Sequence, residues 1–182
     1  MPADGTIILI KYHGAKRFVD RLVSKAIMFF TKSPFIHVML YFDGKTYDSY
    51  AWLNPNTKKM NQGFRVRDGF KKGDIYLEPI KKLTDEEKEK MRAYLEQEIK
   101  EKEPYNFIKL VALAFIYPTK HFWRWIGWVP FSNEFFGRVC STRVDEAWKS
   151  VRDIFPKELE GYTVPGDFMK LIEFGTFRQI YI

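Results

Sequence analysis

The sequence predicts an α+β fold: an antiparallel sheet packed against helices, one of which opens on the chain's single cysteine. Three observations predict it. Apolar and β-branched runs recur in the first half, and two of them flank Asp43-Gly44, the strongest short-range hairpin signal. Thr84 and Glu87 form a capping box at the start of an amphipathic pattern in mid-chain. A further helical pattern begins near Cys140 and places Val144, Ala147, Trp148 and Val151 on one face.

Thr6–Tyr12 (TIILIKY) reads as a buried strand ended by His13-Gly14. Ala15–Thr31 sets Phe18, Leu22, Ile27, Phe29 and Phe30 among basic residues and reads as a helix with a break near Ser24, stopped by Pro34. Ile36–Phe42 and Lys45–Leu53 are the two hairpin strands. Asn54–Gly63 reads as a polar loop, Phe64–Val66 as a short strand and Gly73–Glu78 as another. In the helix from Thr84, Asp85 and Glu86 suit the positive end of the dipole, Met91, Tyr94, Leu95 and Ile99 give an apolar face, and Pro104 ends it. Phe107–Tyr117 is nearly all apolar and reads as a buried helix. His121–Phe131 reads as an aromatic loop or short helix. The helical pattern that begins near Cys140 spans Arg138–Val151, and a last strand lies near Phe177–Ile182. There is no internal repeat, and 182 residues suit one domain covering the whole of 1–182.

Composition excludes several classes. With 17 Phe, 10 Tyr and 5 Trp the chain can fill a core, so disorder is excluded. No apolar run is long enough to span a membrane. The first residues lack the basic-then-apolar order of a secretory signal, so a cytoplasmic location is expected, or a virion-associated one if the source is a bacteriophage. One cysteine excludes a disulfide framework, and with three histidines no metal site is expected. No cofactor is expected either, because neither a phosphate-binding glycine loop nor a dinucleotide-binding pattern is present. Net charge is +7, and residues 1–70 carry 11 Lys and Arg against 5 Asp and Glu. A basic first half suits anionic partners such as a phosphate-rich membrane surface, or serves solubility alone; no specific nucleic acid is expected.

Cys140 is the first residue with chemistry to offer. At the first turn of a helix the free N–H groups and the dipole stabilise a thiolate, and the same N–H groups can hold an oxyanion. The plainer reading is a small buried hydrophobe, which most lone cysteines are. His37 is the second, on a strand whose alternation puts Ile36, Val38, Leu40 and Phe42 on one face and His37, Met39 and Tyr41 on the other. Asp48 is the third. With Asp43-Gly44 as the loop, Phe42 pairs with Lys45, Tyr41 with Thr46, Leu40 with Tyr47, Met39 with Asp48 and His37 with Tyr50. Asp48 then lies one diagonal step from His37 on the same face, where a carboxylate can fix the imidazole tautomer. A one-residue slip would send it to the other face. His13 is the alternative third residue. Tyr12, Tyr105 and Ser141 are candidate oxyanion or substrate contacts, and His121 reads as surface or lid.

Six segments in this order resemble the circularly permuted papain-fold hydrolases of the NlpC superfamily, especially the YiiX-like branch and more distantly the lecithin retinol acyltransferase group. Gly5-Thr6-Ile7-Ile8-Leu9 is similar to the family's opening strand, and Ser33-Pro34-Phe35-Ile36-His37-Val38 to its histidine motif. Lys45-Thr46-Tyr47-Asp48-Ser49 falls where the family carries its third polar residue, often glutamate. Pro104-Tyr105-Asn106-Phe107, Val139-Cys140-Ser141-Thr142-Arg143-Val144 and Thr163-Val164-Pro165-Gly166-Asp167-Phe168 resemble the remaining elements. Ile36, Thr142 and Asp48 depart from the family pattern.

The resemblance implies a cysteine peptidase, amidase or acyl hydrolase/acyltransferase of permuted papain-like (NlpC-type) fold. Cys140 would be the nucleophile, His37 the base and Asp48 the orienting acid. The implied substrate is a peptide, peptidoglycan or an acyl-lipid ester or thioester. The aromatic and basic stretch His121–Phe131 suits a membrane interface, sugar stacking or core packing. The alternative class is a non-catalytic papain-like binding or structural module, such as a virion or membrane-surface component.

Overall fold

The computed structural model describes residues 2–14, 21, 24–25, 28–29, 31–53, 60–101, 139–156 and 163–181; for 50–53 and 60–62 it describes the backbone alone. The fold is α+β. Six strands, β1 (Thr6–Lys11), β2 (Phe35–Phe42), β3 (Lys45–Leu53), β4 (Met60–Asp68), β5 (Ile75–Pro79) and β6 (Phe177–Ile180), form one sheet in the order β4-β3-β2-β1-β5-β6. Every neighbouring pair is antiparallel. Helix α1 (Asp85–Glu101), helix α2 (Cys140–Lys149), a 3-10 turn (Pro165–Met169) and the short α3 (Lys170–Glu173) complete the described elements.

The hairpin register is the one the turn chemistry requires: Leu40↔Tyr47, Tyr41↔Thr46 and Phe42↔Lys45. Asp43 and Gly44 both take positive φ, as a two-residue loop between right-twisted strands demands. β4 departs from expectation. It starts at Met60, inside the predicted loop, and pairs with β3 over nine positions from Lys45↔Asp68 to Leu53↔Met60. Its sequence, MNQGFRVRD, has little intrinsic strand character, so the long neighbouring strand and the packing of Phe64 and Val66 on the core hold it extended. The predicted helices Phe107–Tyr117 and the stretch His121–Phe131 lie outside the described residues. Of Ala15–Thr31, the described positions from Arg21 to Thr31 are helical.

The core lies on one face of the sheet, beneath α1 and α2. Ile7, Leu9, Val38, Leu40, Phe42 and Leu77 meet Met91, Leu95, Val144 and Trp148 there. A smaller cluster of Ile8, Met39, Tyr41 and Tyr76 covers the opposite face. Phe35 joins the main core where simple alternation puts Ile36, because Ile10 pairs with His37 and Lys11 with Phe35, which leaves Ile36 as an extra residue. The capping box forms in full. The Thr84 N–H donates to Glu87 Oε2 at 2.8 Å, and the Glu87 N–H to Thr84 Oγ1 at 3.2 Å. On α1 the apolar face is Met91, Tyr94 and Leu95, but Ile99 is exposed and Glu98 is buried in its place. Glu98 stands seven residues from Met91, two turns on along the same face, where it accepts from Arg143 Nη1 of α2 at 2.7 Å. The Arg143 guanidinium also lies 5.1 Å from the centroid of the Phe64 ring. Among the described residues no helix is long and apolar enough to cross a membrane.

Trp148 is fully buried and meets Phe177 edge-on, with ring centroids 5.1 Å apart. Gly5 lies against it at φ +87°, and a Cβ there would come within 2.5 Å of the indole. Gly5→Ala therefore combines left-handed strain with overpacking of the core. We expect a loss of about 2 kcal/mol or more in unfolding free energy, read from the urea midpoint at unchanged slope.

Candidate active site

Cys140 is the first residue of α2. Val139 before it is extended (φ −108°, ψ 172°) and has no side chain able to cap. Thr142 does that work from inside the helix: its Oγ1 accepts from the Val139 N–H at 2.9 Å and donates to the Val139 carbonyl at 3.0 Å. The Arg143 N–H closes the first turn on the Val139 carbonyl at 3.1 Å.

The sheet brings the other two residues to the thiol. Pairing between β2 and β3 stops at Leu40↔Tyr47, although β3 continues alongside β4. Leu9 turns its carbonyl toward β5, accepting from the Asp74 N–H at 2.9 Å. Its partner Val38 therefore points its own N–H away from β1, toward the side that β3 has vacated. That N–H and the His37 side chain are groups that bear on the charge of the Cys140 sulfur. On its other side, His37 Nε2 meets Asp48 Oδ1 at 2.6 Å. With Nε2 committed to the carboxylate, Nδ1 is the nitrogen left for the thiol.

The electrostatics follow from these contacts. Burial works against the charged form of His37 and is the largest single influence, but it is outweighed. The Cys140 charge, the Asp48 and Cys140 hydrogen bonds and the Asp48 charge together raise the imidazole from 6.5 to about 10. Burial likewise pushes the Cys140 thiol up, and the His37 charge, its hydrogen bond and the Val38 N–H bring it below the ordinary thiol value. Asp48 is held below the usual carboxylate range: burial opposes this, and the hydrogen bonds and charges of His37 and then Arg65 prevail. The shifts support one another: the imidazole, thiol and carboxylate are each moved toward their charged forms.

Arg65 is the member that sequence reasoning missed. It stands directly opposite Asp48 on β4, with Nε at 2.7 Å and Nη2 at 2.5 Å from Oδ2. The signal was present in Phe64-Arg65-Val66-Arg67, where strand alternation sets both arginines on the face away from the core. The other candidates have these places. His13 is 68% exposed and bonded to Asp74 at the β1–β5 side of the sheet. The Ser141 hydroxyl is buried and donates to the Thr163 carbonyl at 2.6 Å, so its side chain is spent on the fold. The Tyr12 N–H donates to the Pro34 carbonyl at 3.1 Å, tying the end of β1 to the segment that leads into β2. Tyr105 and His121 lie outside the described residues. Beneath Cys140 the core is closed: the crevice between Val38, Leu40, Tyr47, Phe64, Leu95 and Val144 holds only about 10 Å³, room for one water. His37, a quarter exposed, marks the solvent side. Among the described residues no group of three or more His, Cys, Asp and Glu offers a metal-binding set.

Compared with protein-family models, curated proteins and solved structures, the chain finds no match in any of the three.

The charge state has a direct readout. A depressed thiol is ionised at lower pH than a free one, so alkylation of Cys140 by iodoacetamide should begin to rise well below the ordinary value of about 8.5. In His37→Ala the imidazolium and its hydrogen bond are gone, burial remains, and the rise should move upward to or beyond that value. A pH profile of labelling rate in the two proteins checks this.

Proposed function

We propose that this chain is a cysteine hydrolase or acyltransferase with a permuted papain-like fold, in which Cys140, His37 and Asp48 act in sequence. The observation that carries the reading is the position of His37, whose Nε2 meets a buried carboxylate at 2.6 Å and whose charge and hydrogen bond lower the pKa of a thiol at a helix start. A purely structural cysteine has no need of either partner.

In this reading the Cys140 thiolate attacks the carbonyl carbon of an amide, ester or thioester. The carbonyl π-pair moves to oxygen, and helix-start N–H groups stabilise that oxyanion. Collapse of the tetrahedral intermediate breaks the bond to the leaving group, which takes the proton from the His37 imidazolium. His37, now neutral, takes a proton from the incoming water or acceptor as it attacks the acyl-thioester. The thiolate leaves and the imidazolium is restored. Asp48 keeps Nε2 protonated and Nδ1 aimed at the sulfur throughout. The substrate class is a peptide, peptidoglycan or an acyl lipid, with an anionic membrane surface as a partner of the basic first half.

A panel of peptidoglycan fragments, peptides, acyl esters and phospholipids, incubated with wild type and Cys140→Ser, tests the activity and selects among the bonds. Turnover of one class by wild type, absent in Cys140→Ser, is the expected result. On that substrate Asp48→Asn should keep the fold and Cys140 labelling while losing roughly ten- to a thousand-fold in kcat/KM. That is less than the roughly ten-thousand-fold loss in a serine triad, because here the ion pair exists before substrate arrives. His13→Ala should be near wild type, since its partner is Asp74. Full activity in Asp48→Asn would remove Asp48 from the mechanism.

A further inference from the structure

Asp48 has two carboxylate oxygens, and each has its own partner. Oδ1 faces His37 Nε2 at 2.6 Å. Oδ2 receives both Arg65 Nε at 2.7 Å and Arg65 Nη2 at 2.5 Å. Asp48 is 3% exposed and Arg65 39%, so the arginine reaches inward from the rim to a carboxylate that water scarcely reaches. The two residues are directly paired across β3 and β4, inside a ladder that is continuous on both sides of them. An exposed ion pair of two long side chains is worth little. This one differs because the acceptor is short, buried and already shared with the imidazole.

We propose that Arg65 is a positioning residue of this site: by gripping one oxygen with two N–H groups it fixes the plane of the Asp48 carboxylate, and through it the tautomer and orientation of His37. The proposal rests on the reading of Cys140 and His37 as a working pair. The charged groups that face Asp48 are His37 from β2 and Arg65 from β4, with the Cys140 sulfur of α2 beyond His37. The next residue on that face of β4 is Arg67, opposite Thr46.

Two roles for Arg65 predict opposite signs. As a nearby positive charge alone, Arg65 opposes the imidazolium, and its removal raises the His37 pKa. As a clamp, it holds the acceptor on which the imidazolium depends, and its removal lets the carboxylate turn away and lowers the His37 pKa. Geometry favours the clamp, because the guanidinium is separated from the imidazole by the carboxylate that both bind. Lysine keeps the charge and lacks the two-pronged donor, so it should not substitute.

The test is a ¹⁵N titration of the His37 ring in the full chain carrying Cys140→Ala, so that the thiol does not titrate alongside it. Arg65→Met and Arg65→Lys are then added to that background. The clamp predicts a fall of about one unit in the His37 pKa in both variants. It also predicts a ¹⁵N shift pattern in which the neutral ring is no longer held with its proton on Nε2. An unchanged or raised pKa overturns the proposal, as does full restoration by lysine, which reduces Arg65 to a counter-charge. If Arg65→Met does not fold by thermal melting, Arg65→Lys and Arg65→Gln carry the same comparison. Failure of the catalytic reading is seen separately. Wild-type Cys140 would then label no faster than glutathione and be unaffected by His37→Ala, whereas the Arg65 result is read without the thiol.

Discussion

A carboxylate removed from water needs hydrogen-bond donors on both oxygens, and Asp48 imposes that requirement on the whole sheet. Its donors come from two different strands, one on each side. β2 must present His37 and β4 must present Arg65, so both registers are fixed at one residue. A slip of either strand by one position would bury an unpaired charge. The long β3–β4 ladder and the two-residue turn at Asp43-Gly44 are the devices that prevent it. The early end of the β2–β3 pairing then leaves the room in which thiol, imidazole and carboxylate meet.

Much of this was legible in the sequence, and the reasons are local. Asp-Gly turn chemistry sets the three pairs beside the turn by counting; the next counted pairs, Met39 with Asp48 and His37 with Tyr50, do not form, yet Asp48 still meets His37 across the gap where the two strands part. The capping box at Thr84 and the helix start at Cys140 were legible for the same reason: both depend on residues within one helical turn. What escaped was decided by neighbours distant in the chain. Phe64–Val66 announce a short strand by themselves, but β4 reaches from Met60 to Asp68 because β3 lies beside it. Glu98 replaces Ile99 on the buried face of α1 because Arg143, far along the sequence, supplies a partner. The extra residue at Ile36 arises from the pairing of β1 with β2 and reverses simple alternation over two positions. Arg65 escaped because its meaning lies in a cross-strand contact, and nothing in its own segment announces β3 as the partner.

The helix that opens on Cys140 is fixed at its start by the three residues that follow the cysteine. Thr142 folds back on Val139 at its start, Ser141 donates to the Thr163 carbonyl, and Arg143 reaches Glu98 on α1. Ser141, Thr142 and Arg143 follow the cysteine directly, and all three are buried. Polar residues at those positions look like surface in a linear reading. In the fold they fix the helix in angle and depth, so that the first N–H groups and the sulfur arrive at the level of Val38. The apolar residues Val144, Ala147 and Trp148 supply the driving force, and the polar ones supply the alignment.

The sulfur owes its low pKa to Val38 and His37, both contributed by a strand made early in the chain, while the helix carrying it is made late. A nascent or unfolded chain therefore carries an ordinary thiol, with neither a helix start nor an imidazolium nearby. The lowered thiol pKa depends on the two halves of the molecule meeting, and it is lost when they part. The thiolate is in this sense a reporter of native structure. An electrophile selective for the depressed thiol would therefore count folded molecules.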